Sequence, residues 1–139
     1  MYTFQIPGNP RVQKQTMISR GRFYDPSYKD RLYIQEVANQ YKPSQILEAA
    51  TVMDLTFFRP IPKSASKALT QKMLDHVVLP TTRPDVDNNA YLVTNALKEI
   101  FYSDDSLITD LNIRKRYSET PHTLVKIWDH FMDTSWKFQ

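Results

Sequence analysis

Three aspartates, Asp85, Asp87 and Asp105, have the types and spacing best suited to chemistry in this chain. Pro84 biases the residue before it towards an extended conformation, and side chains two apart in an extended segment project to the same side. Two neighbouring carboxylates repel each other unless a cation, a proton or an arginine offsets their charge. Mg²⁺ and Mn²⁺ prefer oxygen ligands, and Mg²⁺ is commonly held by one or two carboxylates plus substrate phosphate. Asp85 and Asp87 therefore predict a divalent metal site.

Asp105 can join this pair only if the chain returns along the helix that separates them. A helix is predicted from residue 87 to residue 100 because one stripe of it is apolar: Ala90, Val93, Leu97 and Ile100. That helix is about 20 Å long at ~1.5 Å per residue. We expect a strand starting near Asp104 to run antiparallel to the helix and to bring Asp105 towards the metal site.

Each aspartate also has a simpler explanation. Asp87 could be an N-cap that satisfies unpaired amides at a helix start. Asp104 and Asp105 could form only a turn before a strand. Asp85 has no equally good local role. The three carboxylates in this order favour the metal site over these separate local roles.

Basic residues form two clusters, although the net charge of the chain is only +3. One cluster lies in a stretch without acidic residues and consists of Arg11, Lys14, Arg20 and Arg22. The other is the consecutive run Arg114, Lys115 and Arg116. Strand alternation places Arg114 and Arg116 away from the core and Lys115 towards the helix side or a rim. A solvated surface is the alternative, and contact with nucleic-acid phosphates is the better interpretation only if a site for phosphodiester chemistry lies nearby.

The 139 residues are predicted to form a single domain spanning 1–139, because 41% apolar and 12% aromatic residues can bury one core. No apolar run approaches the ~20 residues that a membrane helix requires, and no apolar signal segment begins the chain. We therefore expect a cytoplasmic protein without a membrane partner. There is no cysteine for a disulfide framework. No Walker loop or G-x-S-x-G motif supports nucleotide hydrolysis or acyl transfer.

The pattern predicts an α+β domain with a mainly antiparallel or mixed sheet of about four strands and helices on one face. Strands are predicted at 2–6, 51–59, 107–117 and 123–128. Helices are predicted at 26–41, 64–74 and 87–100, with caps at Asp25 and Ser64. Residues 7–24 are expected to be a flexible basic loop, and 118–122 a hairpin loop that pairs the last two strands. The aromatic tail at 128–138 is expected to pack on its own sheet or against a second subunit.

Three strings of residues surround or contain the candidate aspartates: RPIPKS at 59–64, RPDVDN at 83–88 and YSDDSLI at 102–108. In order and approximate spacing they resemble the RusA family of Holliday junction resolvases, over nearly the full chain. The resemblance implies a RusA-like fold and a homodimeric, Mg²⁺-dependent nuclease, with Mn²⁺ as a possible substitute. It implies symmetric cutting of four-way DNA junctions in recombination and repair, with Asp85, Asp87 and Asp105 as the acidic residues.

One departure from the family concerns Tyr91, because active family members carry a lysine one helical turn after the second aspartate. At ~100° per residue, Tyr91 should face the site and not the core. A phenol can donate a hydrogen bond to a DNA phosphate but cannot neutralise developing charge as an ammonium does. Lys98 lies roughly 16 Å further along the axis, too far to substitute directly. Asn95 stands where family members often have an acidic residue.

Three alternatives therefore remain open from the sequence. The chain is a junction-cutting nuclease, a branched-DNA-binding protein with weakened or lost cleavage, or an α+β protein whose carboxylates only cap helices and form turns. DNA binding without cleavage distinguishes the second alternative from the first. Absence of binding to both DNA and divalent metal ions favours the third.

Overall fold

The structure is a computed structural model that describes residues 1–131. It is an α+β fold with three helices, a mixed four-stranded sheet and a small two-stranded sheet, in agreement with the predicted fold class. The strands are β1 (Tyr2–Pro7), β2 (Met17–Ser19), β3 (Arg22–Tyr24), β4 (Thr51–Pro60), β5 (Ile108–Ser118) and β6 (His122–Asp129). The helices are α1 (Tyr28–Asn39), α2 (Lys67–Leu74) and α3 (Val86–Leu97), with a 3-10 turn at Asp105–Leu107. Residues 132–138 of the predicted aromatic tail lie outside the described residues.

The core lies between the four-stranded sheet and helices α1 and α3. Strand β4 contributes side chains two residues apart, with Met53, Leu55 and Phe57 all fully buried. Helix α3 contributes a stripe at helical spacing that includes Val93 and Leu97. The two periodicities that predicted these elements are therefore the ones that build the core. No helix in residues 1–131 combines the length and apolar character needed to cross a membrane.

The predicted pairing of the last two strands is wrong. The sheet order is β1-β6-β4-β5: β6 lies antiparallel between β1 and β4, while β5 is parallel to β4. Neighbouring strands are ~4.8 Å apart, and three extended residues span up to about 10 Å, so 119–121 can pass over the end of β4. Strand β4 is buried along most of its length, which favours a partner on each of its edges.

Helix α1 begins later than the predicted Pro26 because the residues before it form their own turn. The Asp25 carboxylate accepts a hydrogen bond from the backbone amide of Ser27 and forms an ion pair with Arg31. The charged Arg31 guanidinium and the hydrogen bond from Ser27 lower the pKa of Asp25. The prediction of Asp25 as the helix cap is wrong, because Ser27 holds that position and the helix starts at Tyr28.

The other two helices also differ from the prediction at their ends. Helix α2 is capped by Ser66, whose hydroxyl accepts from the Leu69 amide at 3.1 Å, and not by Ser64. Helix α3 ends at Leu97 because Lys98 takes an extended backbone conformation with ψ 136°. Both errors are shifts of two or three residues within correctly predicted helices.

The predicted flexible loop at residues 7–24 is wrong for its second half. Strands β2 and β3 pair antiparallel there, joined by a turn in which Arg20 and Gly21 have φ of 53° and 75°. Two successive positive φ angles are typical of the tight turns that connect right-twisted strands. Gly21 readily adopts a positive φ and so permits this tight turn, but the sequence pattern did not predict the hairpin.

Candidate functional site

Asp85 and Asp87 both lie at the start of α3, where Asp85 takes the N-cap position and Asp87 the first turn. Both side chains are exposed, and Asp85 borders a surface concavity of about 420 Å³ shared with Val12, Pro84 and Asn88. The Asp85 side chain makes no capping hydrogen bond. Within residues 1–131, neither carboxylate has a hydrogen bond or an ion pair, so their oxygens are available to a ligand.

Arg59, at the end of β4, holds the segment that leads into Asp85. Its guanidinium donates to the carbonyl oxygens of residue 82 at 2.8 Å and residue 83 at 3.2 Å, and also to that of Pro84. Only 8% of Arg59 is exposed, and this burial lowers the pKa of its guanidinium. No carboxylate of the described chain forms an ion pair with it. Within residues 1–131, every hydrogen bond of this buried cation goes to a backbone carbonyl of the segment before Asp85.

Lys115, on β5, reaches the same carbonyls from the neighbouring strand. Its ammonium donates to the carbonyl of Thr82 at 3.1 Å and to that of Pro84 at 3.4 Å. Its partner across the ladder is Phe57, which is fully buried on the helix side of the sheet. The prediction that Lys115 points towards the helix side is therefore confirmed. An ammonium has three donors and residues 1–131 accept from two of them, which leaves one available to an anion.

Replacing Arg59 should therefore disturb the protein more than replacing an exposed arginine. We expect Arg59→Met to lower the free energy of unfolding by about 2 kcal/mol, because the carbonyls of residues 82–84 lose the charged donor of Arg59. Arg59→Lys should lose less, since an ammonium can still reach part of the set. Urea unfolding of both variants, with Arg22→Met as an exposed control, measures the difference. Equal stabilities for the Arg59→Met and control variants would contradict this role.

The basic segment before β2 is attached directly to α3. The backbone amide of Gln13 donates to the carbonyl of Asn88 at 3.1 Å, and the Asn89 side chain donates to the carbonyl of Arg11 at 2.8 Å. Asn89 is fully buried. The segment that carries Lys14 is therefore placed beside Asp85. Sequence reasoning missed Asn89 and Arg59 as supports of the site, although both stand in or beside the strings that resemble RusA.

Asp105 lies near the other end of α3. Its neighbour Asp104 forms an ion pair with Lys98 at 3.1 Å, just beyond the helix. A hydrogen bond from Ser106, followed by one from Lys98, lowers the pKa of Asp104 to about 2. Burial raises the pKa of Tyr102, and the charge of Asp105 raises it further. Asp105 begins the 3-10 turn directly after Asp104, so it lies towards the C-terminal end of α3.

The three predicted metal ligands are therefore not gathered at one point. Strand β5 does run back along α3 as predicted, from the Asp105 turn to Lys115 beside residue 84. The twelve-residue helix is about 18 Å long, however, and Asp105 is towards the end opposite Asp85 and Asp87. In the described part of the chain, no group of three or more His, Cys, Asp or Glu side chains is placed to hold a metal ion.

The donor set at the start of α3 nevertheless fits Mg²⁺. Mg²⁺ keeps several of its waters and is usually bound through one or two carboxylates together with substrate phosphate. Asp85 and Asp87 supply two carboxylates whose oxygens have no other partner among residues 1–131. The residues present therefore match the way this ion is commonly held, while the role of Asp105 as a third ligand stays a prediction.

Tyr91 follows Asp87 by one turn and is 56% exposed, whereas Leu92 and Val93 beside it are buried. The predicted orientation, away from the core, is confirmed. Asn95, one further turn along, is partly buried. Tyr91 therefore lies on the exposed face of α3, at the position where the resemblance to RusA predicts a lysine.

The two predicted basic clusters lie on different surfaces. Arg20 and Arg22 are exposed at the β2–β3 turn. Arg114 lies on the sheet face opposite α1 and α3, where its guanidinium binds Asp54 at 2.7 and 3.1 Å; this carboxylate raises its pKa. Arg116 donates to the backbone carbonyl of Lys115. The run at 114–116 is thus divided, with Lys115 on the side of the candidate site and its neighbours on the other.

Comparison with known proteins adds an independent observation. The family model described as "Endodeoxyribonuclease RusA" matches residues 7–128. The "Uncharacterized protein YqaN" of Bacillus subtilis (strain 168) is 36% identical over 132 residues, which cover 89% of this chain and 93% of that protein. The region that the family model matches includes the aspartates at the start of α3, the segment held by Arg59 and the Asp105 turn. The chain belongs to the RusA family of endodeoxyribonucleases.

Proposed function

We propose that this chain is a structure-specific endonuclease that resolves four-way DNA junctions by metal-dependent hydrolysis of phosphodiester bonds, acting as a homodimer. The observation that carries the proposal is the pair Asp85 and Asp87, exposed and without partners within residues 1–131 at the start of α3 in a RusA-family chain. Arg59 and Lys115 hold the segment before this pair in place. A two-fold dimer matches the two symmetric cuts that junction resolution requires.

The metal would be held by Asp85 and Asp87. Asp105, towards the opposite end of α3, would be a third ligand only where assembly of the proposed dimer on DNA brings its carboxylate to this pair. Bound Mg²⁺, or Mn²⁺ in its place, would lower the pKa of water and stabilise charge on the phosphoryl and leaving oxygens. The free donor of Lys115 and the Tyr91 hydroxyl would hydrogen-bond to phosphate oxygens beside the aspartates. Other basic residues would contact backbone phosphates and fix the register on the DNA without reading sequence: Lys14, Arg20, Arg22, Arg114 and Arg116.

Incubation with a labelled four-way junction and Mg²⁺ or Mn²⁺ tests this function. We expect paired nicks in two strands of like polarity, and no cutting of a linear duplex of the same sequence. Asp85→Asn is the matched control because it removes one carboxylate charge while keeping the side-chain shape. Failure to cut with either ion, by a protein that binds the junction, would exclude the nuclease proposal.

A second candidate function is binding of branched DNA without cleavage. The observation that favours it is Tyr91, an uncharged side chain where active family members carry lysine. In that case the junction assay would show a stable complex and uncut strands at every metal concentration. The two candidates therefore make opposite predictions in one experiment.

The salt dependence of DNA binding should identify which basic cluster binds phosphates. Removing one phosphate contact lowers the slope of log K against log salt by about 0.9. We expect Arg20→Gln with Arg22→Gln to lower the slope by about 1.8, because neither arginine has an ion pair in residues 1–131. The matched pair Arg114→Gln with Arg116→Gln should lower it less, since Asp54 already binds Arg114. Unchanged slopes in both would mean that neither pair of arginines contacts DNA phosphate.

A further inference from the structure

The β2–β3 hairpin is a separate two-stranded sheet whose six strand residues are all exposed. Phe23 is 76% exposed and Ile18, its cross-strand partner, is 64% exposed. Met17 and Tyr24 form the next cross-strand pair and are also exposed. An isolated two-stranded hairpin is at best marginally stable in water, and exposed apolar surface of this kind usually marks a binding site.

The two pairs lie on opposite faces of the hairpin, because cross-strand partners share a face and successive residues alternate. Phe23 and Ile18 form one face, and Met17 with Tyr24 forms the other. The hairpin therefore presents apolar side chains on both sides, as a flat wedge. A hairpin that packed against a single protein surface would need apolar side chains on only one of its two faces.

The charge of the hairpin and its attachment point to an anionic partner. Residues 8–24 contain no acidic side chain, and Arg20 and Arg22 stand at or beside the turn. The residues just before the hairpin are bound to Asn88 and Asn89 of α3, next to Asp85. Arginines beside exposed aromatic rings are the combination that binds the backbone and the base faces of nucleic acid strands.

We infer that the β2–β3 hairpin inserts its apolar side chains between bases at the branch point of the DNA, with Phe23 stacking on an exposed base. This inference rests on the proposed function and names the feature that selects branched substrates. In a linear duplex each base face is covered by its neighbour, so Phe23 has no surface on which to stack. At a branch point the stacking is interrupted, and the exposed base faces become available. Arg20 and Arg22 would hold the adjoining phosphates.

Binding measurements without divalent ions test this role separately from cleavage. Fluorescence anisotropy gives the affinities for a four-way junction and for a linear duplex, and 2-aminopurine at the branch point reports stacking. We expect Phe23→Ala to weaken junction binding by about 5- to 100-fold, the range for one base–aromatic stack, while duplex affinity stays within about twofold. Phe23→Leu should recover only part of the loss. Val77→Ala, at another exposed apolar residue, should change neither affinity.

Other outcomes would overturn the inference. A wild-type protein with equal affinity for junction and duplex, or an equal loss on both substrates in Phe23→Ala, would exclude branch selection by the hairpin. A change from dimer to monomer in Phe23→Ala, measured by sedimentation, would assign the hairpin to a subunit interface instead. If the protein binds the junction in a Phe23-dependent way but cuts no strand, the nuclease proposal fails while this inference stands.

Discussion

Asp87→Asn is expected to reduce junction cleavage by at least about 10²-fold while leaving junction binding unchanged or tighter, because a bound metal ion loses an anionic ligand. Asparagine nearly matches the shape of aspartate, and the exposed Asp87 side chain has no partner in residues 1–131 that the change could break. The substitution also removes a negative charge that repels DNA phosphate, which favours binding. Loss of cleavage without loss of junction binding is the result expected when a metal ligand is replaced.

Single-turnover cleavage rates over a range of Mn²⁺ concentrations measure this effect. We expect the half-maximal Mn²⁺ concentration to rise in Asp87→Asn, so that high metal restores part of the rate. Asp110→Asn is the control, because Asp110 is an exposed aspartate on β5, outside the pair at the start of α3. Thermal unfolding should show both variants folded. Unchanged cleavage by folded Asp87→Asn would remove the proposed site.

Local periodicity explains why the elements that carry the aspartates could be predicted. The apolar stripe of α3 and the alternation of β5 depend on neighbours a few residues away. Both ends of β5 and the start of α3 lie within one residue of their predicted positions, and α3 ends three residues early. The return of β5 along α3 followed from the same reasoning, because a short connection between two packed elements leaves few other directions. The orientation of Tyr91 likewise needed only the helical repeat.

Contacts between distant residues set the parts that could not be predicted. Strand β6 lies between β1 and β4, where it pairs with one edge of β4. The short loop at 119–121 predicts instead that β6 pairs with β5 in a hairpin. The Arg59 contacts with residues 82–84 join two segments that no local pattern links. The same limit applies to Asp105: its place in sequence suggested proximity to Asp85, but the length of α3 keeps them at opposite ends.

The position of Tyr91 leads to the prediction that Tyr91→Lys increases the rate of junction cleavage. The side chain is exposed one turn after Asp87, so a lysine there would extend towards phosphate bound by the carboxylates. Its charge would act most strongly as negative charge develops in the transition state, and one well-placed donor can be worth about 10²-fold in rate. The Lys115 ammonium is held by backbone carbonyls of the segment before Asp85, whereas Tyr91 itself brings no charge to the α3 side of the site.

Single-turnover rates for wild type, Tyr91→Lys and Tyr91→Met at equal protein and metal concentrations decide the question. Tyr91→Met keeps a long side chain without charge and should not accelerate cleavage, so a gain confined to lysine would be electrostatic. The opposing hypothesis is that the phenol stacks on a base or sugar at the junction centre. Both substitutions would then weaken junction binding, and lysine would bring no gain in rate. A Tyr91→Lys protein that cuts no faster than wild type would show that tyrosine belongs to the working site of this chain.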